Sequence, residues 1–252
     1  MPITIVVADD YPDYRLLVRL LLASVSDTIA IVGEAADGEE ALALVLRERP
    51  DIVIADLLMP CLPRPFHTKG WVYEEKYDGW RMLAVKEAGR VRLISRNGRD
   101  HTKRFRDIAD ALAKLKPATF TLDGEVAVFD AQLVSRFEWL RHLDHGDLAT
   151  PPLLMVFDLL QLGEKDYRLE PLKVRRRALE KLVKGQTLIL PARRLSPNGF
   201  AAWAEVLHRG YEGMVAKDAE SPYVGGRTLK WLKVKQAKYR EGERGWDPKN
   251  KS

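Results

Sequence analysis

The stretch WVYEEKYDGWR, residues 71–81, decides how the larger part of the chain is organised. Its alternating pattern predicts a β-strand with Glu74 and Lys76 on one face and Glu75 on the other. The YDG turn that follows is expected to need Gly79, because glycine adopts backbone angles that a side chain forbids. Burial in such a strand disfavours the charged form of a lysine, and an uncharged amine is a nucleophile. Lys76 is therefore either a reactive amine or an amine that extends from a strand edge to solvent.

The pattern around this stretch divides the chain into segments. From residue 61 onward, strands, hairpins and separated helices predict an α+β fold with antiparallel sheets and flanking helices, the helices covering residues 103–115, 174–183 and 200–209. The predicted segments are an α/β segment (1–60), a proline-containing linker (61–70), the α+β domain (71–236) and a basic tail (237–252).

The front segment, residues 1–60, alternates short β-branched runs with amphipathic stretches, which predicts strand, helix, strand, helix, strand. Such an order indicates a parallel sheet that is covered on both faces. Asp9, Asp10 and Asp56 follow the first and third predicted strands. Because ligands bind at the carboxyl ends of parallel strands, these carboxylates could hold Mg²⁺. They could equally be turn, helix-cap and strand-end residues.

Charge is distributed unevenly along the chain. The formal net charge is +5, with −7 in residues 1–60 and +12 in the remainder. A basic body suggests a polyanionic partner such as nucleic acid, although a solvated basic surface explains the charge equally well. Cys61 is the only cysteine, which excludes an internal disulfide, and no apolar run approaches the length of about 18 residues needed to span a bilayer. We therefore expect a cytoplasmic protein without a membrane partner.

Six short stretches of the α+β segment point to one chemistry. In chain order they are EKYDGWR, SRNGRD, LDGEVAVFD, MVFDLLQL, EGMVAK and LKWLKVK. Over roughly residues 61–246 the chain resembles the adenylation (nucleotidyltransferase) domain of ATP-dependent DNA ligases, an ATP-grasp-like fold, and is most similar to the bacterial end-joining type. The resemblance implies that Lys76 forms a covalent lysyl-AMP, with ATP and Mg²⁺ as cofactors.

The resemblance also implies roles for other side chains. It assigns Glu74 and Phe157 to the purine, Glu125 to the ribose, Glu212 to Mg²⁺, Arg81 and Arg96 to ribose or phosphate oxygens, and Lys217, Lys233 and Lys235 to the phosphates. Simpler interpretations exist for some of them. Phe157 could be an ordinary core residue, and Glu212 and Lys217 could form a surface ion pair of little energetic value.

The front segment resembles the receiver domain of bacterial response regulators, a flavodoxin-like fold. Asp9 and Asp10 match its acidic pair, and Asp56 matches its phosphate-accepting aspartate. The match ends after Pro60, so the expectation is a partial, half-sized receiver domain. Its third strand would have an open edge rich in isoleucine and valine, which predicts self-association through this segment.

The expected function is that of an ATP-dependent DNA ligase in repair or recombination, acting on nicked or broken DNA. An RNA ligase or a capping-type nucleotidyltransferase would use the same lysine chemistry. A scaffold that binds nucleotide or DNA without turnover, or that responds to phosphorylation, is the non-enzymatic alternative. Residues 237–252 are too few for the oligonucleotide-binding barrel of family ligases. Sealing would then depend on this basic tail or on a separate DNA-binding or end-joining partner.

Overall fold

The computed structural model describes residues 2–9, 12–23, 28–36, 38–55, 61–62, 64–141, 148–226, 228–236 and 239. The chain divides into two compact units. One comprises residues 1–63 with 226–232, and the other comprises residues 64–225 with 233–252.

The first unit alternates strands and helices as predicted. Its elements are β1 (Ile3–Ala8), α1 (Pro12–Ala23), β2 (Ile29–Ala35), α2 (Gly38–Glu48) and β3 (Ile52–Ala55). The three strands are parallel and lie in the order β2-β1-β3. The central strand β1 is the most buried, and Val6 packs in a small cluster with Ala35 and Leu44. The expected partial α/β fold is confirmed.

Part of the apolar surface of this unit is exposed. β3 is an edge strand of the described sheet, and its Ile52 and Val53 are 46% and 43% exposed. Leu20 on α1 and Leu46 on α2 are also exposed. The apolar edge strand is the feature from which the sequence predicts self-association, and self-association stays a prediction.

The second unit contains most of the remaining elements. In chain order, beginning with β4 at the end of the first unit, they are β4 (Cys61–Leu62), β5 (Trp71–Lys76), β6 (Trp80–Glu87), β7 (Arg90–Ser95), α3 (Arg106–Ala113), β8 (Phe120–Ala127), a 3₁₀ turn (Glu138–Leu140), β9 (Leu153–Leu162), β10 (Lys165–Asp166), α4 (Leu172–Leu182), β11 (Ile189–Pro191), α5 (Gly199–Arg209), β12 (Gly213–Asp218) and β13 (Trp231–Lys235).

These strands form two sheets. The larger has the order β10-β9-β8-β6-β7 with antiparallel neighbours, and β11 adds to β9 in parallel. The smaller has the order β4-β13-β12-β5, in which β5 and β12 are antiparallel. The α+β class with antiparallel sheets is therefore confirmed. Strand β4 occupies the first two residues of the segment that the sequence predicts to be a linker.

The core of the second unit lies between the larger sheet and the helices. Ile108 and Leu112 of α3 and Leu179 of α4 pack with strand residues such as Leu122 and Val156 in one buried cluster. Each of the three predicted helices is present with somewhat different ends. None of the described helices combines the length and the apolar character required to cross a membrane.

Candidate active site

Lys76 lies at the end of β5, directly opposite β12. The antiparallel register places Gly213 across from Lys76, so the neighbouring Glu212 reaches the lysine amine. Lys76 Nζ forms an ion pair with Glu212 Oε2, and Lys235 Nζ of β13 lies 3.6 Å from Glu212 Oε1. Two lysines from different strands thus share one almost fully buried carboxylate. The pairing brings together three of the residues that the sequence identifies.

Two glycines allow the backbones around Lys76 to approach closely. A Cβ atom at Gly213 would lie 2.2 Å from the carbonyl oxygen of Val234, and one at Gly79 would lie 2.4 Å from that of Val126. The φ angle of Gly79 lies outside the left-handed region. The expectation that this glycine is needed for unusual backbone angles is therefore wrong; the physical reason is the close approach of β8.

Arg81 and Glu125 are paired across β6 and β8, within electrostatic reach of Glu212. The surrounding protein raises the pKa of Glu125 from an ordinary value of 4.5 to about 8, because burial disfavours the charged carboxylate. Lys76 and Arg81 oppose that effect, whereas the negative charge of Glu212 adds to it. Glu125 therefore lies within electrostatic reach of the nucleophile candidate, as expected for a residue of the same site.

Arg81 is held by a carboxylate that the sequence interpretation did not assign. Arg81 Nε and Nη2 donate to Asp123 Oδ1 and Oδ2 at 3.1 and 2.7 Å, and the hydroxyl of Tyr223 donates to Asp123 Oδ2 at 2.9 Å. Asp123 is fully buried. The alternation of a strand could have indicated it, because Asp123 and Glu125 share a face of β8.

Phe157 lies on β9 between two cations. The Arg81 guanidinium is 5.5 Å and Lys217 Nζ is 4.7 Å from the centre of its ring. The flanking residues 154–156 and 158–160 are all buried, whereas Phe157 is only half-buried. This placement favours a ring that borders a binding site over an ordinary core residue.

Glu74 and Lys217 form a buried ion pair beside Phe157. Lys217 Nζ lies 2.5 Å from Glu74 Oε2, and Arg176 Nη1 of α4 lies 3.0 Å from Glu74 Oε1. The side chain of Lys217 is only 2% exposed. The alternative of a surface ion pair between Glu212 and Lys217 is wrong, because each side chain is buried and pairs with a different partner. The phosphate contact expected of Lys217 stays a prediction.

Glu75, on the opposite face of β5, is a buried carboxylate that the sequence interpretation gave no role. It is 3% exposed, and neither carboxylate oxygen has a hydrogen-bond partner among the residues that the structure describes. Arg193 Nη1 is 3.3 Å from Glu75 Oε2. Burial raises the pKa of Glu75 to about 8, and Arg193 only partly opposes this. The strand is therefore covered on both faces, which alternation alone could not show.

The remaining predicted residues have different positions. Arg96 is exposed in the turn that follows β7, and Lys233 is half-buried on β13, two residues before Lys235. Asp9 follows β1 and its backbone carbonyl accepts a hydrogen bond from Arg15 at 2.6 Å. Asp10 and Asp56 lie outside the described residues. The expected magnesium and phosphate-accepting site of the front segment stays a prediction.

Tyr239, within the predicted basic tail, contacts the motif that contains Lys76. Its hydroxyl lies 3.3 Å from Asp78 Oδ2 and 3.3 Å from the carbonyl oxygen of Ser135. This contact has no signal in the sequence, because the tail has no periodic pattern. Among the residues that the structure covers, no three His, Cys, Asp or Glu side chains gather in a metal-binding cluster.

Comparison with known proteins identifies two matching families. Residues 61–235 match the model of the ATP dependent DNA ligase domain, and residues 5–63 match that of the response regulator receiver domain.

Curated relatives and solved structures agree with the larger match. The multifunctional non-homologous end joining protein LigD of Pseudomonas aeruginosa is 33% identical over 167 residues, which cover 66% of this chain and 20% of that protein. The protein of the same name from Mycobacterium bovis is 30% identical over 235 residues, covering 90% of this chain and 30% of the relative. A structure of mycobacterial DNA ligase D complexed with ATP and MES superposes with a TM-score of 0.61 at 32% identity, covering 71% of this chain and 59% of that one.

Proposed function

The chain belongs to the family of ATP-dependent DNA ligase domains, and on this basis we propose that it uses ATP to adenylate Lys76 and then passes the AMP group to a DNA 5′-phosphate for nick sealing. The observation that carries the proposal is the ion pair of Lys76 with Glu212, beside Lys235 and the Arg81–Glu125 strand pair. This arrangement supports Lys76 as a nucleophile that is surrounded by groups able to bind a phosphate and its metal ion.

In the first step, Lys76 Nζ attacks the α-phosphorus of ATP. A P–N bond forms, the bond between the α-phosphorus and the bridging oxygen breaks, and pyrophosphate leaves with the electron pair of that bond. The ammonium must lose a proton before it attacks, and Glu212 is the carboxylate in contact with it. Lys235 and Lys233 would neutralise charge that develops on the phosphate oxygens.

The base and ribose would be held by the residues on β5, β6, β8 and β9. Phe157 offers a ring face for stacking with the purine, with Glu74 beside it. Arg81 and Glu125 would bind ribose oxygens, since they are paired across β6 and β8, the Arg81 guanidinium lies near the Phe157 ring, and Glu125 lies within electrostatic reach of Lys76. Arg96 is exposed in the turn that follows β7, and it would contact ribose or phosphate oxygens from that turn.

Glu212 and Glu125 are carboxylates of the kind that bind Mg²⁺ next to nucleotides. Glu212 and Glu125 influence each other electrostatically, and one or two carboxylates completed by phosphate oxygens and water are its ordinary ligands. When bound, the ion would withdraw charge from the phosphates. Glu212 would hold the ion together with Glu125.

The partners of the chain are proposed from its charge and its relatives. The matched relatives act in non-homologous end joining by name, and the chain spans only 20% to 30% of the length of the two LigD proteins. Nicked or broken DNA is the substrate that the charge of +12 beyond residue 60 favours. A separate DNA-binding or end-joining partner would help the basic tail to retain DNA. A second copy of the same chain is a further partner, bound through the front segment, because β3 presents an apolar edge.

The test is incubation with Mg²⁺ and ATP labelled on the α-phosphate, followed by a denaturing gel. We expect label on the wild type and on Lys173→Ala, a control that removes an exposed lysine paired with Glu220. Lys76→Ala should retain none. Absence of label from the wild type would instead favour a scaffold that binds nucleotide or DNA without turnover. Comparison of nicked DNA with nicked RNA would then separate a DNA ligase from an RNA ligase.

A further inference from the structure

A continuous set of charged and aromatic side chains leads from helix α4 to Arg81. Its central member is Asp123, whose carboxylate is fully buried on β8. Asp123 accepts two hydrogen bonds from Arg81, at 3.1 and 2.7 Å, and a third from the hydroxyl of Tyr223 at 2.9 Å. Hydrogen bonds to a charged group are stronger than neutral ones, and a buried carboxylate that loses a donor is costly.

Tyr223 is itself held at both its backbone and its ring. Its amide donates to the carbonyl oxygen of Arg168 at 2.7 Å. Its ring lies 6.0 Å from the guanidinium of Arg175, within the range of a cation–π contact. Its hydroxyl is therefore presented to Asp123 from a fixed direction.

Arg175, beneath this ring, is fixed in its turn. It is fully buried and donates from Nε and Nη2 to Asp158 at 2.7 and 2.9 Å. Its Nη1 also donates to the carbonyl oxygens of Glu170 and Ser221. A guanidinium with all these contacts has no room to rotate, so the ring of Tyr223 rests on a rigid surface.

The arrangement determines how Arg81 is presented to the nucleotide site. A bidentate carboxylate fixes the plane of a guanidinium, and the pair with Asp123 uses Nε and Nη2 but not Nη1. The same guanidinium lies 5.5 Å from the centre of the Phe157 ring. Because the side chain of Arg81 is 40% exposed, packing restrains it only in part, and its two hydrogen bonds to Asp123 set its orientation.

We propose that Tyr223 is a positioning residue for nucleotide binding: through Asp123 it holds Arg81 in the orientation that binds ATP, without touching the nucleotide itself. The proposal rests on the proposed function, because Arg81 is taken to contact the ribose or phosphate of ATP. Loss of the Tyr223 hydroxyl would leave Arg81 as the donor to the Asp123 carboxylate. The carboxylate, and the guanidinium that follows it, would then adopt more than one orientation.

The variant that tests this is Tyr223→Phe, which retains the ring on Arg175 and removes only the hydroxyl. We expect the dissociation constant for ATP, measured by calorimetry with the full chain, to rise about fivefold, which is less than the full loss of one charge-assisted hydrogen bond because Arg81 still binds Asp123. The rate of lysyl-AMP formation at saturating ATP should change less than about twofold. Tyr167→Phe is the matched control, because the ring of Tyr167 packs with Lys165 and its hydroxyl is not in this chain of contacts.

A double-mutant cycle separates positioning from a general structural role. In an Arg81→Ala background, Tyr223→Phe should change ATP affinity less than about twofold, because no guanidinium remains to be oriented. An equal fivefold loss in both backgrounds, or unchanged affinity in Tyr223→Phe, would overturn the proposal. The proposed function fails differently: it fails if the wild type binds ATP but forms no lysyl-AMP, and the binding cycle still decides the role of Tyr223.

Discussion

Glu75 and Glu125, at the level of single residues, are carboxyl groups whose pKa is raised to about 8 by burial. Glu125 faces Lys76 and Arg81, so its raised pKa belongs to the candidate site. Glu75 faces Arg193 on the other side of β5. In an unfolded chain both would have an ordinary pKa near 4.5. Between these values the folded protein retains protons that the unfolded chain has released, so stability falls as the pH rises from about 4.5 to about 8.

Glu75→Gln removes one of these groups without changing the size of the side chain. We expect the variant to match the wild type near pH 5 and to gain on the order of 2 kcal/mol in the free energy of unfolding near pH 8. The measurement is urea unfolding followed by tryptophan fluorescence at both pH values. Glu220→Gln, at an exposed glutamate, is the control and should show no such difference. A gain of equal size at both pH values would show that Glu75 does not titrate in this range.

Glu212 is the residue whose loss should be most damaging after that of Lys76. Glu212→Gln retains the shape but removes the charge that binds Lys76 and Lys235 and that would bind Mg²⁺. We expect lysyl-AMP formation to fall at least about 100-fold, and the midpoint of thermal unfolding to fall as well, because Lys76 and Lys235 lose their shared partner. Single-turnover labelling with ATP measures the rate. A variant with nearly normal rate would show that the carboxylate charge is not used.

The sequence predicted some of these residues better than others. Lys76 and Glu212 could be identified because short motifs carry them, and the structure brings them into contact. Asp123 and Tyr223 have no local signal of their own, because their meeting depends on the pairing of distant strands. Alternation placed Glu75 away from Lys76 but could not show that this second face is buried.

At the level of elements, the site depends on how closely β5, β12 and β13 approach one another. Gly213 on β12 is opposite Lys76, and a Cβ atom there would lie 2.2 Å from the carbonyl oxygen of Val234. Contacts this short cannot be accommodated without displacing one strand. The position of Glu212 relative to Lys235 follows from this spacing.

Gly213→Ala tests this spacing. We expect the added methyl group to destabilise the fold by roughly 2 kcal/mol and to lower lysyl-AMP formation about tenfold or more, because small displacements of reacting groups are costly. Gly89→Ala is a control for stability alone, because no atom of the described residues lies within 4 Å of its Cβ position, although its positive φ adds backbone strain. Unchanged activity in Gly213→Ala would mean that the strand spacing does not position Glu212.

The strands and helices themselves were largely predictable. The βαβαβ order of the first unit followed from continuous apolar runs alternating with amphipathic stretches, and the three helices of the second unit followed from helical periodicity. Pairing between distant strands was not predictable in this way. Residues 61–62 are an example, because this two-residue segment has no strand pattern of its own and is a strand through its pairing with β13.

At the level of the whole molecule, the residues assigned to the candidate site fall within residues 74–235. The front segment, residues 1–60, carries a net charge of −7 against +12 in the remainder. The chain therefore joins an adenylation domain to a partial receiver-like unit with an apolar edge strand.

Deletion of residues 1–60 separates these two parts while retaining β4. We expect lysyl-AMP formation to stay within about twofold of the full chain, since no residue of the site is removed. We also expect light scattering to show association of the full chain and a monomer after deletion, because the exposed Ile52 and Val53 are lost. A full chain that is strictly monomeric would contradict self-association through this segment.

The adenylation of Lys76 is tested most directly by mass spectrometry of the full chain after incubation with ATP and Mg²⁺. We predict that the intact protein gains the mass of one AMP, that peptide mapping places it on Lys76, and that the adduct disappears in acid, as a phosphoramidate does. Lys76→Arg, which keeps the positive charge, should gain no mass. An adduct on another residue, or an unmodified wild type that nevertheless binds ATP, would contradict the proposed function.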